Sequence, residues 1–108
     1  MITWDDFEKL DIRVGTIITA EDFPKARKPA FKLTIDFGPY GILKSSAQLA
    51  DLYEKSSLTG QQVIAVVNFP PRQIADFSSE CLVLGIYSAN GVVLLQPDRA
   101  VSNGGKIG

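Results

Sequence analysis

Two groups of side chains in this 108-residue chain have types and spacing that could do chemistry. Residues 68–72 read Asn-Phe-Pro-Pro-Arg, and a second aromatic, Phe77, follows shortly after. Aromatic rings on a loop can stack nucleic-acid bases. Phe69 and Phe77, together with Pro70 and Pro71, can equally form an apolar patch for an extended polypeptide. A plainer alternative is that the rings fold back as loop anchors, Phe77 above all, because Ile74 gives it an apolar neighbour. The paired prolines have few backbone donors and restricted torsions, so they make a stiff rim that cannot add a strand.

The second group is cationic. Lys25, Arg27, Lys28 and Lys32 lie close together in the chain, and Arg72 and Lys44 join them if the fold brings those segments together. About four to six phosphate contacts from such a cluster would give measurable, salt-sensitive binding. The alternative is a solvated charged loop. Eleven basic and twelve acidic residues leave a formal charge of −1, so no global field draws in nucleic acid and any such binding is local.

Catalysis finds little support. The chain has no histidine, which removes the commonest general base and the commonest metal ligand near neutral pH. Cys81 lies in an apolar run with no histidine to activate it. The carboxylate pairs Asp5-Asp6 and Glu21-Asp22 suit a helix start and a solvated loop better than an acid/base couple. The Asn103-Gly104-Gly105 segment reads as a terminal turn, not a phosphate cradle. The expectation is a non-enzyme without cofactor or metal. One cysteine cannot form an internal disulfide, which fits a reducing compartment. No apolar run approaches the ~20 residues of a membrane helix. A soluble cytoplasmic protein with no membrane insertion is therefore expected.

The elements that must position these side chains follow from pattern. Thr3 can cap a short helix in which Asp6 sits three residues on, with acidic residues at its positive end. Period-two alternation then places Leu10, Ile12, Val14 and Ile18 on one strand face, with a bulge or bend expected at Gly15. Residues 21–30 form a loop. In residues 31–37, Phe31, Leu33, Ile35 and Phe37 point one way while Lys32, Thr34 and Asp36 point the other. A turn at 38–41 leads to a third strand beginning at Ile42. Residues 47–55 have Leu49, Leu52 and Tyr53 at helical spacing. Further strands are expected at 62–68, 80–87 and 92–97, with residues 68–77 as a loop. Three strands, a short helix and two or three more strands, all within one domain spanning 1–108, point to a mostly β, five-stranded OB barrel. An N-terminal helix and a C-terminal strand extension complete it.

Residues 63–67, 81–85 and 91–95 are apolar on both strand faces, and two short helices cannot cover them all. A strand buried on both sides needs a partner on each. A second copy of the chain is the economical cover, which predicts a homodimer.

Residues 6–17, Asn-Phe-Pro-Pro-Arg at 68–72, Ser79-Glu80 and the closing Leu-Leu-Gln-Pro-Asp and Val-Ser-Asn-Gly-Gly-Lys-Ile segments resemble the tRNA-binding domain family. The resemblance runs from about residue 5 to the C-terminus in one colinear order. It implies an OB barrel that dimerises. Within the family, residues 23–33, 44–49 and 63–72 resemble the CsaA-type branch, regarded as chaperones for secretory preproteins. Ser45-Ser46-Ala47 and Ser79-Glu80-Cys81-Leu82 replace the Ser-Gly-Leu and Ser-Glu-Gly-Met of tRNA-binding members. The resemblance thus implies a dimer that binds unfolded preproteins without ATP, with structure-specific tRNA binding as the alternative. Its candidate contacts are Lys28, Lys32, Lys44, Ser45, Ser46, Asn68, Phe69, Pro70, Pro71, Arg72, Phe77, Ser79 and Glu80.

Overall fold

Phe31, Leu33, Ile35 and Phe37 all turn to the interior, and Lys32, Thr34 and Asp36 lie half-buried between them. That is the period-two pattern of a strand with one face on the core. The computed structural model describes residues 1–108. In chain order its elements are helix α1 (Trp4–Glu8), strands β1 (Ile12–Asp22), β2 (Phe31–Asp36) and β3 (Ile42–Ala47), and helix α2 (Lys55–Leu58). Strands β4 (Gln62–Val66), β5 (Arg72–Ile74), β6 (Phe77–Ser79), β7 (Leu82–Val83), β8 (Gly85–Ser88) and β9 (Gly91–Leu94) follow.

Five strands form an antiparallel sheet in the order β3-β2-β1-β4-β7. Long β1 makes the curl possible, since Ile12–Thr16 pair with β4 and Thr16–Asp22 with β2. A register shift between Ile17 and Thr19 changes which residues face inward. Ile17 is therefore buried while Ile18 is 40% exposed. The expected alternation through Ile18 fails at that bulge, because one unpaired residue inverts every side chain beyond it. Gly15 serves the bend differently: a Cβ there would lie 2.7 Å from the side chains of Ile35 and Phe37. The curled sheet brings its edges β3 and β7 together, where the Glu80 amide donates to the Lys44 carbonyl at 2.7 Å. The result is a nearly closed five-stranded OB barrel around Ile17, Leu33, Ile35, Phe37, Leu58 and Val63.

The chain ends are tied to the barrel. The Thr3 hydroxyl accepts from the Asp6 amide at 3.2 Å and the Asp6 carboxylate accepts from the Thr3 amide at 3.0 Å, the expected capping box. Residues 104–107 run beside the first part of β1, which β2 leaves open. The Gly104 and Ile107 amides donate to the carbonyls of Val14 and Ile12 at 2.8 and 2.9 Å.

Three local expectations are corrected. Residues 47–55 do not form a helix; β3 runs to Ala47, a turn follows, and the helix is the single turn Lys55–Leu58. The Tyr53 hydroxyl accepts from the Leu94 amide at 3.1 Å, and Leu58 is fully buried, so both are drawn to the barrel along an irregular path. The strand expected at 80–87 breaks at Leu84, whose amide goes to Ile64 while its carbonyl accepts from Leu95. Leu84 is thus the corner between the barrel and the β8–β9 hairpin. Finally, part of the expected loop 68–77 is ordered as the β5–β6 hairpin.

Candidate functional site

The barrel seam is fastened at one end and open at the other. At the fastened end the Lys44 amide donates to Glu80 Oε1 at 2.9 Å and the Ser46 amide donates to Ser79 Oγ at 3.1 Å. Side chains thus replace the partner strand that β3 lacks on this edge. Beyond Ser46 the edges part, and a groove of about 710 Å³ opens between residues 46–49 and residues 82–85. Leu49, Leu84 and Leu94 supply apolar lining, and Tyr87, 93% exposed, stands on its rim. A pocket of about 310 Å³, lined by Phe69, Pro70, Ser79 and Cys81, shares Ser46, Arg72, Ile74 and Leu82 with the groove. The two are therefore one continuous, mostly apolar surface.

The β5–β6 hairpin forms one wall, and the loop between β1 and β2 holds it. Lys25 Nζ donates to Asp76 Oδ2 at 2.9 Å. That hydrogen bond, and then the charge of Lys25, holds the Asp76 carboxyl below its ordinary range. Phe23 and Phe77 meet edge-on beneath this pair, with Lys32 Nζ 5.0 Å and 5.6 Å from their ring centroids. Cations favour the faces of such rings.

The expected cationic cluster is thereby divided. Lys25 and Lys32 hold the wall, whereas Arg27, Lys28 and Arg72 line the groove and enter no salt bridge. Of the candidate contacts, Lys28, Ser46, Phe69, Pro70, Arg72 and Ser79 converge on the two openings. Phe69 is 49% exposed there, while Phe77 is half-buried against Phe23. Pro71 and Lys44 are exposed but line neither opening, and Ser45 is buried. Asn68 lies outside both, with Oδ1 accepting from the Asp11 amide at 3.0 Å and Nδ2 donating to the Lys9 carbonyl at 2.8 Å. It fixes the α1–β1 junction to the start of the 68–72 segment. Glu80 is occupied at the seam.

Sequence reasoning did not select Gln48, Leu49, Leu84, Tyr87 or Leu94. The two-faced apolar runs were the signal for the leucines at 84 and 94, read there only as a dimer surface. Cys81 lies at the floor of the smaller pocket. Burial, with Glu80 adding to it and a Ser45 hydrogen bond opposing it, pushes its thiol up to about 12. At neutral pH it is an apolar, protonated wall and no nucleophile.

Barrel, fastened seam and unpaired cations beside an apolar groove define a domain of OB architecture with one open candidate site. Residues 12–106 match the family described as "Putative tRNA binding domain", and the chain belongs to that family. It is 38% identical to a methionine–tRNA ligase of Methanococcoides burtonii, over 96% of this chain and 15% of that enzyme's length. The chain thus spans only about 15% of the curated relatives it matches. Among solved structures it is similar to the chaperone CsaA of Bacillus anthracis, with a TM-score of 0.94 and 51% identity, covering 100% of this chain and 99% of that one. The CsaA chaperone of Picrophilus torridus gives a TM-score of 0.96 and 53% identity, with 100% of both chains covered.

Proposed function

We propose that this chain is a non-catalytic chaperone of the CsaA type that binds unfolded preprotein segments in the cytoplasm without ATP. The observation that carries the reading is the continuous apolar groove rimmed by Arg27, Lys28 and Arg72. Likeness to two CsaA chaperones along the whole chain supports it. Phe69, Pro70 and the leucine floor take apolar side chains of the client, and Lys28 and Arg72 hold polar groups at its edge. Ser46 offers backbone contacts. Lys32, Asn68, Phe77, Ser79 and Glu80 act by keeping the walls in place, with Lys44 and Ser45 as the strand that Ser79 and Glu80 fasten.

We also propose a homodimer. Ile86 and Val93 pair across the β8–β9 hairpin on the face opposite buried Leu94, and are 54% and 39% exposed. A twofold-related copy would cover that face, and two grooves per dimer would raise avidity for a long client.

The family match favours a second reading, structure-specific tRNA binding, with the same three cations holding phosphates. Suppression of aggregation of an unfolded preprotein, measured without nucleotide, tests the first. Wild-type protein is expected to suppress it and Phe69→Ala to do so poorly. Failure of the wild-type protein to suppress aggregation argues for the second.

A further inference from the structure

The backbone of β3 indicates how a client would lie in the groove. Along a paired antiparallel strand, successive residues turn their amide and carbonyl groups to opposite sides. Lys44 and Ser46 therefore present theirs away from β2, and Gln48 follows β3 in a tight turn that the Leu49 amide closes on the Ala47 carbonyl at 2.9 Å. Lys44 is satisfied on both groups by Glu80, and the Ser46 amide by Ser79. The Ser46 carbonyl receives only the neighbouring Ser45 hydroxyl, at 3.3 Å. The amide and carbonyl of Gln48 have no hydrogen-bond partner in the chain. On the facing bank, Leu84 turns its amide to Ile64, so the same alternation presents the backbone of Val83 to the groove. At the open half of the seam, the end of β3 thus leaves the Ser46 carbonyl and the Gln48 main-chain groups free of main-chain partners beside an apolar floor.

Charge narrows the occupant. Arg27, Lys28 and Arg72 line the groove without salt-bridge partners, and no carboxylate lines it. A segment carrying an acidic side chain complements that rim, whereas a lysine-rich segment is repelled.

We infer that the groove takes an extended segment of another protein as an added strand along Ser46–Gln48, with an apolar side chain over Leu49 and Leu94 and an acidic side chain against Arg27, Lys28 and Arg72. Strand addition derives affinity from main-chain hydrogen bonds and selectivity from alternate side chains. It needs no fixed client sequence, as a chaperone requires. This inference rests on the polypeptide-binding reading above and specifies its mode.

Fluorescence anisotropy with the full chain and a labelled, unstructured peptide of alternating valine and glutamate tests it. Two further peptides carry N-methyl groups on every second amide, one set in each of the two phases, and a fourth has lysine in place of glutamate. One methylation phase is expected to weaken binding about tenfold and the other to change it little, because only one phase faces β3. The lysine peptide is expected to bind wild-type protein about tenfold more weakly and to recover part of that loss with Arg72→Glu. Equal binding of both methylated peptides and the parent overturns strand addition while leaving polypeptide binding intact. Equal binding of the lysine peptide overturns the acidic preference. Absence of binding by every peptide, with tRNA bound, overturns the polypeptide reading and this inference with it.

Discussion

The ring of Phe77 meets that of Phe23 at a centroid distance of 5.4 Å and an interplanar angle of 60°, joining the β5–β6 hairpin to the β1–β2 loop. Phe69, eight positions earlier in the chain, is instead 49% exposed beside the smaller pocket. The two aromatics of one segment thus have separate tasks. Phe77→Ala is expected to cost about 2 kcal/mol of stability, from lost burial and the lost edge-on pair. Phe69→Ala is expected to change stability by less than about 0.5 kcal/mol while weakening polypeptide binding about tenfold. Urea unfolding and anisotropy of both variants separate the effects. Equal loss of stability in the two would contradict the division.

Asn68 holds a junction. Replacement by alanine leaves the Asp11 amide and Lys9 carbonyl without their partner. Both are near water, so the expected cost is about 1 kcal/mol. Affinity per folded molecule should stay within about twofold. A large affinity loss at unchanged stability, read by urea midpoint and titration, would instead make Asn68 a direct contact.

These two cases show how far residue types and spacing carried. Phe31 to Phe37 alternate without interruption, and that segment became β2 with its faces as expected. The succession of three strands, a short helix and further strands, and hence the barrel, followed from such patterns. Residues 47–55 misled because Leu49 and Tyr53 do share a single turn, with the Tyr53 amide on the Leu49 carbonyl at 3.0 Å. The Tyr53 hydroxyl then meets the Leu94 amide, a distant partner that local spacing does not encode. The β5–β6 turn places Ala75 at φ 53°, where no glycine or asparagine announces it. The candidate site was legible as Phe69, Pro70, Arg72 and Lys28. Asn68, Ser79 and Glu80 hydrogen-bond to backbone brought in from elsewhere in the chain, which only the closed barrel reveals.

Cys81 gives the alkaline limb of stability a defined contribution. Its folded value, about 12, lies above its ordinary 9.0. Between these values the unfolded chain loses the proton while the folded chain keeps it. The thiol's contribution is therefore full below pH 9.0 and declines as pH rises toward about 12. The stability difference between wild-type protein and Cys81→Ala should shrink over that window in urea midpoints taken at successive pH values. Parallel curves up to pH ~11 would contradict the burial account.

The exposed face of the β8–β9 hairpin predicts the assembly. Val93→Glu places a charge where a second copy would close over Ile86 and Val93. Light scattering should show a dimer for wild-type protein and a folded monomer for the variant, because desolvating an unpaired carboxylate is costly. A wild-type monomer, or an undisturbed dimer in the variant, would contradict this interface.

The most direct measurement is a side-by-side titration of the protein with an unfolded preprotein and with bulk tRNA, at ~50 and ~200 mM salt. Three phosphate contacts alone imply roughly a 40-fold loss of tRNA affinity over that range. Burial of apolar side chains does not weaken with such salt, so polypeptide affinity should change by less than about threefold. Preprotein binding that persists while tRNA binding collapses is the predicted result. Tight, steeply salt-dependent tRNA binding with no preprotein signal would contradict the chaperone account and assign the groove to RNA.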